Sequence, residues 1–333
     1  MNLYTFFDSN YICKGIALYL SIQKYTEDYT FYILALDRKC QEILITCNLR
    51  NVVVECLDDI ITEELQEAKS NRSRAEFCWT CGAYYTDYFL KKYKLKDITY
   101  LDSDLMFFNA PQIILEELKT KNASIGLSPH YIKNHTFGKY CAQYVYFKND
   151  NNGSKALHWW RDECVKWCYS KLEDGKYGDQ KYLDYMPQLF EGVVDIENRG
   201  TGIANWNMEQ YQYDFTKRKL KHQGKEWPIV YFHYNGLNVL VKDSCLYLIH
   251  SKFFTKEVKN GFIIPYAKLL TEVYRNYLGV NVTKYKYRPL SIWKNIINLM
   301  WVSIRNYPLT INMERVYMEN KYSERKSPYS ERT

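Results

Sequence analysis

The sequence lacks long apolar runs and a recognisable secretory leader. No stretch of the 333 residues approaches the ~20 consecutive apolar residues that a membrane-spanning helix needs. The opening residues, Met-Asn-Leu-Tyr-Thr-Phe-Phe-Asp, contain neither the basic nor the apolar segment of a signal peptide. We therefore expect a cytoplasmic protein that does not span the membrane.

The main part of the sequence also lacks net charge. The whole chain has 45 Lys and Arg against 38 Asp and Glu, a formal charge of +7, but residues 284–333 alone hold ten basic and four acidic residues. Residues 1–283 are therefore nearly neutral, which is not the charge distribution of a nucleic-acid-binding protein. We predict no nucleic-acid partner, one main domain over residues 1–283, and a basic, aromatic C-terminal tail over residues 284–333.

The tail has the pattern of an amphipathic helix beyond Pro289. Its apolar residues fall on one helical stripe that consists of Trp293, Ile296, Ile297, Met300, Trp301 and Ile304. Such a helix either packs on its own domain or lies on anionic lipid, where the basic residues add attraction. Both alternatives stay open, and the second predicts peripheral contact with the inner face of the membrane.

Disorder and a disulfide framework are both excluded. Hydrophobic residues make up 47% of the chain and aromatic residues 17%, so folding can bury enough surface to offset the ordering entropy. The ten cysteines include one C-x-x-C, Cys78 and Cys81, and a zinc site would need four ligands at suitable spacing. In a reducing compartment we expect buried thiols instead.

Strand and helix patterns alternate over the first hundred residues. The predicted strands are Leu3–Phe7, Phe31–Leu36, Val52–Val54 and Ile98–Leu101, and the predicted helices are Ile12–Gln23, Ile60–Lys69 and Ala75–Tyr93. This alternation predicts a Rossmann-like three-layer α/β/α architecture with a mostly parallel central sheet. Ligands bind such sheets outside the carboxyl ends of the strands, where Asp8, Asp37 and Asp102 fall.

The strand Ile98–Leu101 runs directly into Asp102-Ser103-Asp104. Two carboxylates at a strand end can hold a divalent ion through oxygen ligands, and the ion can neutralise a diphosphate leaving group. A D-x-D triplet alone is a weak signal, because short patterns recur by chance. Its position after an apolar strand makes the match more specific.

Five segments in order resemble glycosyltransferases of the A-type fold, in particular a bacterial group similar to glycosyltransferase family eight. The segments are Arg74–Thr80, Tyr100–Phe108, Glu173–Asp184, Ile203–Asn207 and Tyr231–Leu237, and the resemblance spans about residues 3 to 240. It implies a metal-dependent hexosyltransferase with a catalytic domain over residues 1–283. The implied reaction moves a sugar from a nucleotide-diphosphate sugar, expected to be a UDP-sugar, to a glycan or lipid-linked glycan acceptor. The implied pathway is bacterial surface polysaccharide or lipooligosaccharide synthesis.

The resemblance also implies roles for single residues. Asp102 and Asp104 match a metal-binding pair, and His233 matches the third ligand of Mn²⁺ or Mg²⁺. Asp179 and Gln180 match donor-sugar contacts near the reacting carbon and are the predicted catalytic residues. Family eight favours retention, with Gln180 beneath the anomeric carbon, whereas Asp179 would be the base if the enzyme inverts. The predicted nucleotide and donor contacts are Asp8, Tyr11, Asp37, Arg74, Ser103 and Gly236.

The sequence departs from family eight at the phosphate site. Family eight follows its late His-x-x-Gly with a lysine that grips the phosphates, whereas Asn238 stands nearby here and the next lysine is Lys242. Lys242 or Arg74 would have to substitute for it. In the strand near residue 140, Cys141 and Gln143 replace the Asn and Gly of related bacterial sequences, which changes the expected sugar or acceptor preference.

Other interpretations fit parts of the sequence. Haloacid-dehalogenase-type phosphatases also use D-x-D, but Phe107 and Phe108 stand where they carry a small residue or threonine. A catalytically dead sugar-binding relative would keep the fold, although the retained acidic pair and His233 argue against it. Asp179 could also simply cap the helix that follows it.

Overall fold

The computed structural model describes residues 1–289 as a layered assembly of strands and helices. The strands are β1 (Asn2–Phe7), β2 (Thr30–Ala35), β3 (Val52–Cys56), β4 (Asp97–Leu101), β5 (Leu105–Phe107), β6 (Ile125–Pro129), β7 (Tyr140–Lys148), β8 (Val193–Asp195), β9 (Ile203–Ala204), β10 (Gln212–Asp214), β11 (Lys219–His222), β12 (Lys225–Pro228), β13 (Tyr231–His233), β14 (Asn238–Lys242), β15 (Cys245–His250) and β16 (Lys284–Pro289). The α-helices are α1 (Ile12–Gln23), α2 (Arg38–Cys47), α3 (Leu57–Ile60), α4 (Glu63–Asn71), α5 (Arg74–Lys92), α6 (Gln112–Thr120), α7 (Asn151–Lys166), α8 (Met186–Leu189), α9 (Lys256–Val258) and α10 (Ile264–Asn276). Two 3₁₀ helices (Gln180–Tyr185 and Met208–Gln210) and a π-helical segment (Lys259–Ile263) complete the set.

The central sheet has seven strands in the order β3-β2-β1-β4-β7-β6-β8. Strands β1, β2, β3 and β4 are mutually parallel, and β6 pairs in parallel with β8. Within this sheet β7 runs against its neighbours, pairing antiparallel with both β4 and β6. The predicted mostly parallel sheet is confirmed, and helices connect its first strands because parallel neighbours require a crossover.

Both faces of this sheet are covered, so the strands are apolar throughout rather than alternating in polarity. In β2, Phe31 and Ile33 belong to one core, which also contains residues of α1, α2, α6 and α10. The neighbouring Tyr32 and Leu34 belong to the opposite core, which contains residues of α5 and α7. The three-layer α/β/α architecture predicted from the sequence is therefore confirmed.

A small sheet in the order β5-β13-β9 lies beyond the end of β4. Strand β13 pairs antiparallel with β5, and this register places His233 opposite Leu105. The backbone N–H of Tyr234 donates to the carbonyl oxygen of Asp104 at 2.9 Å, directly after the paired residues. This pairing joins the D-x-D segment to a strand that lies more than a hundred residues later in the chain.

The C-terminal part of the described chain buttresses the first helix. Helix α10 packs against α1, and Tyr266 of α10 stacks on Tyr234 with ring centroids 3.7 Å apart. Strand β16, the first six residues of the predicted tail, pairs in parallel with β15.

The Trp293–Ile304 stripe and its proposed lipid contact lie outside the described residues. None of the helices in residues 1–289 is long and apolar enough to cross a bilayer.

The position of β16 makes the truncation point important for stability. A chain ending at Thr283 leaves β15 without its parallel neighbour and removes the hydrogen bond from Tyr287 Oη to the carbonyl oxygen of Lys252, which is 2.7 Å long. We expect a chain ending at Pro289 to unfold several degrees higher than one ending at Thr283, measured by thermal denaturation. Equal melting temperatures would show that β16 contributes nothing to stability.

Candidate active site

The three residues predicted as metal ligands meet at the carboxyl end of β4. Tyr100 Oη donates to Asp102 Oδ1 at 2.7 Å, which orients this carboxylate. His233 Nε2 lies 3.0 Å from Asp104 Oδ1 and 3.5 Å from Asp102 Oδ2. The ligand atoms of the three side chains all lie within 4.8 Å of one another. The pairing of β5 with β13 is what brings His233 to the carboxylates.

The chemistry of this cluster suits a hard divalent ion. Two carboxylates and one imidazole can share one ion such as Mn²⁺ or Mg²⁺, and the imidazole presents its Nε2 atom to the carboxylates. His233 is 3% exposed, and the ring of Trp206 lies perpendicular to it with ring centroids 5.4 Å apart. Within residues 1–289 this is the one group of three or more His, Cys, Asp or Glu side chains arranged for a metal.

The pKa values in the cluster depend strongly on burial and on neighbouring charges. Burial disfavours a charged His233, but Asp104 and Asp102 outweigh it and raise the pKa of His233 well above its ordinary value. Burial opposes ionisation of Asp104, yet His233 and Lys14 outweigh it and lower the pKa of Asp104 to about 2. For Asp102 burial prevails over His233, and its pKa is raised. A divalent ion would replace the imidazolium proton as the charge that balances the carboxylates.

Asp8 and Tyr11, the predicted nucleotide contacts, occupy the turn between β1 and α1. Asp8 Oδ1 accepts from the backbone N–H groups of Asn10 and Tyr11 at 2.9 and 3.0 Å, which fixes the turn. Arg74, at the start of α5, forms an ion pair with Asp8. The structure thus places Asp8, Tyr11 and Arg74 in one neighbourhood, and their contact with a nucleotide stays a prediction.

Of the other predicted donor contacts, Asp37 lies at the N-terminus of α2 and Ser103 lies within the D-x-D segment. Asp37 caps α2, because its carboxylate accepts from the backbone N–H of Cys40 at 2.7 Å and from that of Ser9 at 2.9 Å. It therefore supports the β1–α1 turn, and direct donor contact stays a prediction. Ser103 is half-buried between the two carboxylates of the cluster.

Asp179 and Gln180 lie at the start of a 3₁₀ helix next to the cluster. The carbonyl oxygen of Asp179 accepts from Trp160 Nε1 at 2.9 Å, and Gln180 Nε2 donates to the carbonyl oxygen of Phe137 at 2.8 Å. The side chain of Asp179 makes no capping hydrogen bond to the 3₁₀ helix, so the capping interpretation is not realised. Burial and the negative charge of Asp102 raise the pKa of Asp179 to about 8.

Gly236 lies in the turn after β13 with a φ of +70°, a left-handed conformation that favours glycine. A Cβ atom there would come within 3.5 Å of His250 Nε2. That nitrogen lies 3.1 Å from the carbonyl oxygen of Asn235, so His250 holds the turn in place. The turn follows His233 directly, and its approach to a diphosphate stays a prediction.

The structure adds His130, Cys141 and Trp206 around His233, residues to which the sequence motifs assign no role. His130 and Cys141 are buried and Trp206 is half-buried. Trp206 packs edge-on against both His130 and His233. Asn207 Nδ2 donates to the carbonyl oxygen of His130 at 3.0 Å and so ties the two segments together. Burial opposes ionisation of Cys141, but His130 and His233 outweigh it and lower its pKa to about 7. No sequence signal could link residues 130, 141 and 206, since only the sheet brings them together.

The raised pKa of Asp179 predicts a pH-dependent stability. Its pKa of about 8 in the folded chain exceeds the unfolded value of about 3.9, so the folded state keeps a proton that the unfolded state releases. This carboxyl group therefore makes folding less favourable as pH rises from about 4 to about 8, by at most about 1.4 kcal/mol per pH unit. We expect Asp179→Asn to flatten the fall in melting temperature between pH 5 and pH 8. Asp162→Asn, at a carboxylate on α7, is the control, and equal slopes in all three proteins would contradict the assignment.

Two proteins of Bacillus subtilis (strain 168) are similar to this chain in sequence, and no protein-family model matches it. The uncharacterized protein YfnF is 28% identical over 240 residues, a match that covers 68% of this chain and 78% of YfnF. The uncharacterized protein YfnD is 27% identical over 282 residues, covering 81% of this chain and 89% of YfnD.

Among solved structures, a galactosyltransferase named LgtC, determined in complex with donor and acceptor sugar analogues, is similar to this chain with a TM-score of 0.51. The match covers 83% of this chain and 100% of LgtC at 15% sequence identity. A likeness at this identity establishes the fold and does not by itself establish an activity. The chain therefore has the A-type glycosyltransferase fold that its motifs predicted, similar to that of family eight.

Proposed function

We propose that this chain is a metal-dependent glycosyltransferase that moves a sugar from a nucleotide-diphosphate sugar to a glycan or lipid-linked glycan. The observation that carries the proposal is the meeting of Asp102, Asp104 and His233 at the carboxyl end of β4, where A-type folds bind donors. The fold shared with LgtC and the five ordered motifs support it. We infer a UDP-sugar donor and surface polysaccharide or lipooligosaccharide synthesis from the resemblance of the motifs alone.

Each part of the site has a proposed task. Asp102, Asp104 and His233 would hold Mn²⁺ or Mg²⁺, which when bound stabilises the negative charge on the leaving diphosphate. Tyr11 and Asp8 would hold the nucleotide base at the start of α1. The turn at Gly236 would bring backbone close to the phosphates, because no Cβ intervenes.

Asp179 and Gln180 would orient the donor sugar. Burial raises the pKa of Asp179, which favours the protonated carboxyl group, and in that form it can donate a hydrogen bond to a sugar hydroxyl. We propose retention of the anomeric configuration, as the resemblance to family eight favours, rather than inversion with Asp179 as the base. Gln180 would then lie beneath the anomeric carbon.

A donor panel tests the proposed reaction. The protein is incubated with UDP-, GDP-, CDP- and ADP-sugars in Mn²⁺, and release of the nucleoside diphosphate is followed with and without EDTA. We expect release from one donor class that EDTA abolishes, and a product whose anomeric configuration by NMR matches the donor. Hydrolysis of simple phosphate esters with no response to any nucleotide sugar would instead favour the phosphatase interpretation, and no reaction at all would favour the catalytically dead relative.

Removing one ligand of the cluster tests the metal assignment. Asp104→Asn takes away a charged oxygen that lies 3.0 Å from His233 Nε2, so we expect donor turnover to fall about 100-fold or more. Binding of Mn²⁺, followed by electron paramagnetic resonance, should weaken in parallel. Asp162→Asn makes the same chemical change on α7, outside the cluster, and should alter neither quantity. Unchanged Mn²⁺ binding in Asp104→Asn would refute the assignment.

A further inference from the structure

Lys14 is a buried cation that points into the site and to which the sequence motifs assign no role. It lies in the first turn of α1 and is 5% exposed. Its ammonium nitrogen lies 3.8 Å from Asp104 Oδ2 and 4.3 Å from the centre of the Tyr11 ring. Lysine is rarely buried in proteins unless it is paired, and Lys14 is paired at 3.8 Å with one oxygen of Asp104, a residue of the cluster itself.

The surroundings of Lys14 favour an anion rather than a second cation. Asp104 faces His233 with Oδ1 and Lys14 with Oδ2, so the lysine approaches this carboxylate from the side of Tyr11. A lysine in the first turn of a helix also faces the partial positive charge of the helix N-terminus, which destabilises the helix slightly. The ammonium and the N-terminus of α1 together attract a phosphate group.

With a divalent ion and a donor diphosphate bound, the site would still carry negative charge that a cation can balance. A divalent ion on the cluster neutralises the charges of Asp102 and Asp104, so the two negative charges of a donor diphosphate would remain. Arg74 is mostly exposed and pairs with Asp8 rather than with a member of the cluster. Lys242 ends β14, about 13 Å of extended chain away from Asn238, and lies next to the β14–β15 turn.

The two basic groups near the Gly236 turn are also engaged. Lys252 Nζ bonds the carbonyl oxygen of Asn205 and lies 3.3 Å from Glu209 Oε1. Burial and the charge of Lys252 lower the pKa of His250, which accepts a hydrogen bond from the backbone N–H of Lys252 at Nδ1 and stays neutral. Lys14, by contrast, is a cation that is both buried and directed at the cluster.

We propose that Lys14 binds the diphosphate of the donor and replaces the lysine that family eight carries after its late His-x-x-Gly. This inference rests on the proposed function, because it assumes a nucleotide-diphosphate ligand at the cluster. Lys14 contacts the diphosphate on the side of α1, between the base-binding Tyr11 and the metal-binding Asp104. It therefore contributes affinity for phosphate groups and none for the nucleoside alone.

Calorimetry on Lys14→Met tests the proposal. The probes are the nucleoside diphosphate among UDP, GDP, CDP and ADP that the unmodified chain binds most tightly, and its parent nucleoside, each in saturating Mn²⁺. We expect affinity for the diphosphate to fall about tenfold or more, as for loss of a hydrogen bond to a charged group, and affinity for the nucleoside to stay unchanged. Mn²⁺ alone should bind more tightly, because a positive charge 3.8 Å from Asp104 is gone.

The ratio of diphosphate to nucleoside affinity separates binding from a structural role, because Mn²⁺ binds more tightly in either case. If Lys14 only balances the charge of Asp104 when no ligand is bound, Lys14→Met raises the affinity for Mn²⁺ but leaves the ratio of diphosphate to nucleoside affinity unchanged. That result would overturn the proposal. Lys14→Arg keeps the charge and should retain most of the diphosphate affinity, even if Lys14→Met unfolds at a lower temperature. Lys24→Met, at the exposed opposite end of α1, is the matched control and should leave every affinity unchanged.

The same measurements distinguish failure of this inference from failure of the proposed function. An unmodified chain that binds none of the four diphosphates in Mn²⁺ overturns both. An unmodified chain that binds one of them, together with a Lys14→Met chain that binds it equally well, overturns the assignment of Lys14 and leaves the proposed glycosyltransferase function in place.

Discussion

The antiparallel pairing of β5 with β13 is the constraint on which the candidate site depends. Strand β5 follows the D-x-D segment, and β13 ends in His233, so their register sets the distance between carboxylates and imidazole. The pairing is short, and α10 supports it from behind through the stack of Tyr266 on Tyr234. A shift of one residue would turn His233 to the other face of the small sheet, because side chains alternate along a strand.

The site concentrates titratable groups that are buried or partly buried, the side chains of Asp102 and Asp104 keeping 29% and 15% exposure. His233 is buried, Lys14 is buried, and Asp179 is held with a pKa of about 8. Burying the charged groups of His233 and Lys14 costs folding free energy, which their contacts with Asp104 offset. Perturbed pKa values of this kind cluster at functional sites, and here they surround the point where a divalent ion and a diphosphate are proposed to bind.

Local pattern was sufficient for the central architecture. The strand and helix signals up to Leu101 led to the three-layer, mostly parallel sheet, because each segment carries its own apolar pattern. The helix predicted over Ile60–Lys69 begins instead at Glu63, and α2 was not among the predicted helices. The Asp102-Ser103-Asp104 triplet could be located at a strand end from the apolar pattern that precedes it. By contrast, the pairing of β16 with β15 could not be foreseen, since a basic strand so late in the sequence has no distinctive pattern of its own.

The sequence by itself determined the layers of the fold, the strand-end position of the acidic pair and the family that its motifs resemble, because these depend on contiguous residues. Beyond His233, which the resemblance of the motifs already joined to the acidic pair, only the tertiary structure decided which distant residues share the site. His130, Cys141 and Trp206 surround His233 because the sheet edges and the loops between them converge there. Lys14 reaches Asp104 because β1 and β4 are parallel neighbours whose carboxyl ends adjoin, a relation that no spacing along the chain encodes.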